Sequence, residues 1–232
     1  MNFEWDENTI RWYQEANVYS GFFKNIAGLI APALKEYSTF CDVGCGLGLI
    51  DLELSHYIGS ITCIDINELV IKTLIRNVEE RRITNIKTKV MDCTNLEENW
   101  DIIFLSFFGS HHLENYLPRC KKLISVVAKG KHPEFYPEKY KKTQKSTVED
   151  VEQILRLKGI SYSLKEASFE FGQPLRSREE ARSFVRTQAS NISEEDLTEF
   201  LSQRLLETGQ DQYPFFIPRM KSMGIFEIKG WL

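Results

Sequence analysis

Residues 40–54 read FCDVGCGLGLIDLEL, and no other stretch narrows the fold as far. A short apolar run, Phe40-Cys41-Asp42-Val43, meets three glycines at alternate positions, Gly44, Gly46 and Gly48, and a helical pattern comes directly after them. A strand that turns through glycines into a helix brings backbone N–H groups and a helix N-terminus up to a ligand. The spacing is G-x-G-x-G. Leu49 stands where a dinucleotide fingerprint needs its third glycine, so the loop departs from that fingerprint.

The surrounding pattern fits an α/β sheet. Apolar and aromatic residues fall at helical spacing over Glu7–Leu34, with a break near Ser20-Gly21. Strand candidates then alternate with helices: Phe40–Val43, helix Leu47–Tyr57, Ile61–Asp65, helix Glu68–Arg81, Ile86–Val90, Asp101–Ser106, a weak helix near 111–117, and Leu123–Ala128. β-Branched runs between amphipathic helices argue for a parallel sheet covered on both faces. From Thr147 the order changes, to helix Val148–Leu157 and strand Ser161–Phe171. Two capped helices come next, one from Ser177-Arg178-Glu179-Glu180 to about Ala189, the other from Ser193 to about Thr208. Phe215–Ile217 and Gly224–Lys229 close the chain, the latter as a last strand.

With 232 residues, 42% of them hydrophobic, the chain suits one domain. The expected organisation is N-terminal helices over 1–36, a ligand-binding core over 37–130 and a helical cap insertion over 178–210. The net charge of −4 gives no bulk attraction for nucleic acid. An acidic start and the lack of a long apolar run predict a cytoplasmic protein with no membrane association. The five cysteines read as reduced, small hydrophobes, and Cys41-x-x-x-Cys45 has no second pair to complete a zinc site.

Four features fall at the carboxyl ends of successive expected strands, where open α/β sheets bind ligands: Asp42 with the glycine loop, Asp65, Met91-Asp92-Cys93 and Ser106-Phe107-Phe108-Gly109. Singly, a glycine here is a turn residue, Asp65 a helix N-cap before Glu68, and Asp92 a turn residue. Together, over 40–129, they resemble the class I S-adenosylmethionine-dependent methyltransferase family. A dehydrogenase reading shares the strand-2 acid but lacks the third glycine and leaves Asp92 unexplained. The resemblance implies a Rossmann-like, doubly wound sheet of seven mostly parallel strands with an antiparallel last strand. It implies S-adenosyl-L-methionine as cofactor, with Gly44, Cys45, Gly46 and Gly48 under its methionine part and Asp42 just before them. Asp65, next to Ile66, would take the ribose hydroxyls, Asp92 the adenine amino group, and Cys93 would lie near the ring. Ser106 and Phe107 would complete the cofactor set on the methyl-facing side.

The residues after strand 4 bear on the acceptor. Ser106-Phe107-Phe108-Gly109 departs from the Asn/Asp-Pro-Pro-aromatic pattern of base amino-methyltransferases, and no Pro-Cys pair marks a cytosine C5 enzyme. Phe108, His111 and His112 come just after that strand, and Tyr13 and Tyr19 sit on a helix that often lids the cofactor in this family. Tyr19, Phe108, His111 and His112 are therefore the acceptor-side candidates, with no residue assigned as catalytic base. Residues 119–145 hold nine Lys or Arg against two Glu, with Phe135, Tyr136 and Tyr140 interleaved. That segment reads as a solvated loop, a nucleic-acid contact or a site for an anionic small molecule. The expected function is methyl transfer to a small molecule. The alternatives are an RNA or protein methyltransferase using the basic segment, or a cofactor-binding module without catalysis.

Overall fold

A computed structural model describes residues 4–110, 112–130, 133–141 and 146–232. His111 and parts of the basic segment (131–132 and 142–145) lie outside them. Helix α1 (Glu7–Ser20) starts at Asp6, whose carboxylate accepts from Thr9 N while Thr9 Oγ1 accepts from Asp6 N. It ends at Gly21, in the left-handed region at φ 64°, which a side chain would disfavour. Helix α2 (Phe22–Ile30) comes next. The core then runs β1 (Thr39–Val43), α3 (Leu49–Leu54), β2 (Ser60–Asp65), α4 (Glu68–Glu80), β3 (Ile86–Val90), β4 (Trp100–Ser106) and β5 (Cys120–Ala128). The remainder is α5 (Val148–Leu157), β6 (Tyr162–Glu170), β7 (Gln173–Leu175), α6 (Arg178–Gln188), α7 (Glu194–Arg204), β8 (Leu206–Glu207), β9 (Phe215–Ile217) and β10 (Met220–Lys229).

Seven strands form one sheet in the order β3-β2-β1-β4-β5-β10-β6. Strands β1 to β5 pair in parallel, and β10 is antiparallel to both β5 and β6. Strand alternation divides the core. Phe40, Ile61, Phe104, Ile124, Met223 and Ile225 face α1–α4, whereas Val43, Ile64, Leu105, Leu123 and Phe226 face α5. Each fully buried side chain of this size contributes about 1.5–3 kcal/mol. The sequence order reverses between β1 and β4, so the crevice at their carboxyl ends is a topological switch point. Among the described residues no helix is long and apolar enough to cross a membrane.

Several expectations need correction. The expected helix Leu47–Tyr57 is shorter, because Gly48 takes φ 61° and α3 begins only at Leu49. The stretch near 111–117 holds two 3-10 turns, Leu113–Asn115 and Leu117–Arg119, the second opening on Pro118. Helix α7 stops at Arg204, short of Thr208, because Leu206 and Glu207 leave it to pair with Phe216 and Phe215. This makes a second sheet, β7-β9-β8, which was not expected. Ser177 and Ser193 cap their helices as expected, without the reciprocal bond from the carboxylate to the N-cap N–H. Glu180 accepts from Arg176 N and Trp12 Nε1, and Asp196 from Lys139, Tyr140 and the Ser193 hydroxyl.

Helices α6 and α7 and the small sheet share a third apolar cluster, built on Leu175, Phe184, Leu197 and Ile217 with Trp12 of α1 and Phe135. The ties to α1 are polar as well. Trp12 donates to Glu180 at 3.0 Å, Arg11 pairs with Glu180 at 2.6 Å, and Arg176 pairs with Glu15.

Candidate active site

The glycine loop leaves β1 at the switch point. Gly44, Gly46 and Gly48 all have positive φ, a path that side chains disfavour. A Cβ at Gly44 would come within 2.6 Å of the Phe108 ring, and one at Gly48 within 2.5 Å of Leu74. The loop's donors are largely spent within the chain. Gly44 N and Cys45 N both donate to Ile64 O, Gly46 N to Asp65 Oδ2 and Gly48 N to Cys45 O. The expectation of bare N–H groups aimed at a ligand is thus corrected for these four positions: the loop offers shape rather than an anion-binding nest.

Asp65 is fixed from both sides, Oδ2 accepting from Gly46 N at 2.9 Å and Oδ1 from Asn67 N at 2.8 Å. A carboxylate oxygen has two acceptor sites, so each still has one to offer. The N-cap role falls to Asn67, which accepts from Leu69 N and Val70 N, and not to Asp65. Ile66 beside it is exposed. Asp92 Oδ1 accepts from Thr94 N and the Thr94 hydroxyl, bonds that, with one from the Cys93 side chain, hold its carboxyl below the usual range. Next to it, an open cleft of about 330 Å³ is lined by Cys93, Thr94, Leu96, Asn115, Tyr116 and Arg119.

At the end of β4, Ser106 Oγ is buried without a hydrogen-bond partner among the described residues. Phe107 is then held at φ 55°, in the left-handed region, with its N–H on Val126 O. Such strain in a bulky residue persists only where the surroundings enforce it, and it collects at functional sites. Here the turn lays the Phe108 ring on Gly44. Trp5 reaches the same loop from the N-terminus, 3.5 Å from where a Gly46 Cβ would lie, and meets Tyr13 edge-on.

Beneath the loop, Asp42 and Asp51 are buried together. Burial drives both carboxyls up, Asp51 to about 7 and Asp42 well above its usual range, which favours a proton held between them. Sequence reasoning missed Asp51, whose signal was a carboxylate on the apolar face of LIDLEL. It also missed Trp5, Arg219 and Lys221, for which no local pattern existed.

The other candidates lie apart. Tyr19 stacks on Phe216 with centroids 5.0 Å apart. The His112 side chain is 74% exposed, 3.9 Å from Glu114, which itself pairs with Lys158. Among the described residues of the basic segment the lysines are paired: Lys121 with Asp101, Lys122 with Glu227, Lys129 with Glu166, Lys139 with Asp196 and Lys141 with Glu134.

Comparison with known proteins agrees with this geometry. Residues 40–130 match the family described as "Methyltransferase domain". No curated protein matches. Among solved structures, the magnesium protoporphyrin IX methyltransferase of Synechocystis with bound SAH is similar at TM-score 0.56 and 11% identity, over 99% of this chain and 90% of that one. A putative methyltransferase from Bacillus halodurans matches at TM-score 0.55 and 13% identity, over 89% and 97%. The YcgJ protein from Bacillus subtilis matches at TM-score 0.53 and 12% identity, over 89% and 98%. At such identities the structures speak for the fold, and the family match speaks for residues 40–130. Residues 40–130 therefore carry a methyltransferase domain, set in the seven-stranded fold that the chain shares with solved methyltransferase structures.

Proposed function

We propose that the crevice over the glycine loop transfers a methyl group to a small-molecule acceptor. The observation that supports this reading is the pairing of the described lysines of the basic segment. A nucleic acid needs cations free to replace its counterions, and five of the segment's lysines already hold carboxylates.

The residues fit the cofactor. Asp65, pinned by Gly46 N and Asn67 N, holds two acceptor sites for a pair of ribose hydroxyls. Asp92, held in place by Thr94, would accept from the adenine amino group, with Cys93 beside the ring. Gly44, Cys45, Gly46 and Gly48 shape the floor for the methionine part, above Asp42. Ser106 Oγ is a buried polar atom without a partner among the described residues, and the Phe107 turn lays Phe108 on Gly44. When bound, S-adenosylmethionine supplies a methyl group already activated on a sulfonium. The chain's task is then to align a nucleophile, exclude water and hold the acceptor in line. Trp5, Tyr13 and Phe108 supply the apolar cover. A base is needed only for an acceptor that must lose a proton. The α6–α7 layer, tied to α1 through Glu180 and Glu15, closes the acceptor side.

Asp65→Ala is the test. Calorimetry should record S-adenosylmethionine affinity weakened by about 1.5–3 kcal/mol, the scale of lost charge-assisted hydrogen bonds. Native-like affinity would remove the ribose assignment. Methyl transfer to bulk RNA at physiological salt would remove the small-molecule reading.

A further inference from the structure

Two cations stand at the methyl-facing end of the sheet, outside the cofactor set. Arg219 lies in the turn between β9 and β10, and Lys221 is the second residue of β10. Strand alternation puts them on the face of Met223 and Ile225, towards α1 and α2. Because β10 runs antiparallel to β5, its start lies at the carboxyl ends of the parallel strands. Lys221 Nζ sits 3.3 Å from the centroid of the Phe107 ring, 5.4 Å from Phe22 and 5.6 Å from Phe171. Arg219 lies 4.0 Å over Phe135 and 5.6 Å from Phe171, and its carbonyl accepts from Phe171 N at 2.8 Å.

Arg219 is under-used. Its Nε is buried with no hydrogen-bond partner, and among the described residues no carboxylate comes within ion-pair distance. Glu134 is the nearest acid by its electrostatic effect, and it is already paired with Lys141 at 3.3 Å. Burial pushes the guanidinium down to about 10. Arg219 is half-buried, and a cation drawn out of water without an anion in reach carries a cost that an incoming anion would offset. The Tyr13 and Tyr136 hydroxyls lie close enough to feel its charge. The aromatic walls and paired cations suit an apolar or aromatic body with an anionic end.

We infer that the methyl acceptor carries a carboxylate or phosphate, bound by Arg219 with Lys221 in the aromatic recess beside Phe107. The inference rests on the methyl-transfer reading of the crevice. It makes Arg219 a determinant of acceptor choice with no part in cofactor binding.

The test uses the full chain saturated with S-adenosylhomocysteine, and titrates matched probes by protein-detected NMR. The probes are benzoate against benzamide, indole-3-acetate against indole-3-acetamide, and phenyl phosphate. At least one anion should bind at millimolar concentration while its neutral amide does not. Arg219→Gln should weaken that binding about tenfold or more, the scale of one charge-assisted contact, with S-adenosylhomocysteine affinity unchanged. If Arg219→Gln melts much lower than the native chain, Lys221→Met serves as the second variant and should weaken the same probe several-fold. Equal binding of anions and amides, no binding of any anion, or unchanged anion binding in a folded variant overturns the inference. A native chain that fails to bind S-adenosylhomocysteine overturns the methyl-transfer reading itself, so the two failures are distinct.

Discussion

The two halves of the crevice are built differently. On the proposed cofactor side, contacts are close in sequence: Gly46 meets Asp65 across 19 residues, and Asp92 bonds Thr94 two residues on. On the proposed acceptor side they are remote. Trp12 and Glu180 are 168 residues apart, and Arg176 and Glu15 are 161 apart. The first half is a run of strand–loop–helix units whose turns must carry particular residues. The second is a meeting of α1, α6, the small sheet and the start of β10, each needing only a compatible surface. A common cofactor can therefore share the first half with other acceptors fitted by changing the second.

Gly48→Ala should hit the cofactor side hardest. It combines a left-handed backbone with a clash against Leu74, and should cost about 3 kcal/mol in urea unfolding. Gly209→Ala, with φ 72° and open space around it, should cost only about 1 kcal/mol. Equal costs would end the claim that the glycine loop is the tighter structure. Glu180→Ala removes the carboxylate shared by Arg11, Trp12 and the Arg176 N–H, and should cost about 2 kcal/mol. Cofactor affinity by calorimetry should stay within about threefold, and a larger loss would show that the halves are coupled.

A smaller effect tests the buried pair. Asp51 has a folded-state value of about 7, above the unfolded one, so the folded chain binds more protons between them. Its contribution is full below about pH 4, declines as pH rises through 7, and is then level. Asp51→Asn should flatten the melting temperature against pH over that window and raise it at pH 8; an unchanged slope would separate Asp51 from the shared proton. Least of all, His112→Ala should leave stability within about 0.5 kcal/mol, as for an exposed side chain. Turnover should stay within about twofold, whereas a hundredfold loss would mark His112 as a base.

The strands were legible because apolar alternation and β-branched runs report burial directly. The extent of the antiparallel last strand was less so: Gly224–Lys229 was expected, but β10 begins at Met220, where polar Lys221 and Ser222 carry no apolar signal. The second sheet was hidden for a related reason. Leu206 and Glu207 read as the end of a helix, and only pairing with Phe215 and Phe216 makes them a strand. The helix starts at Ser177 and Ser193 were legible, but the distant partners of Glu180 and Asp196, Trp12 and Lys139, were not. The basic segment looked like a charged surface because four of the acids its lysines meet, Asp101, Glu166, Asp196 and Glu227, come from elsewhere in the chain.

The sequence by itself determined the strand–glycine–helix turn at 40–54, the acids at the next two strand ends and the alternation that builds a parallel sheet. These arise from local backbone geometry and hydrophobic period, which neighbouring residues fix. The tertiary structure decided that the loop's N–H groups are spent on Ile64, Asp65 and Cys45, and that Asp51 lies buried beside Asp42. It also decided that Lys221 comes to rest against Phe107 and Arg219 against Phe135. Charge and hydrogen-bond partnership depend on through-space distance, and the order of residues along a chain carries that distance only within a turn or two.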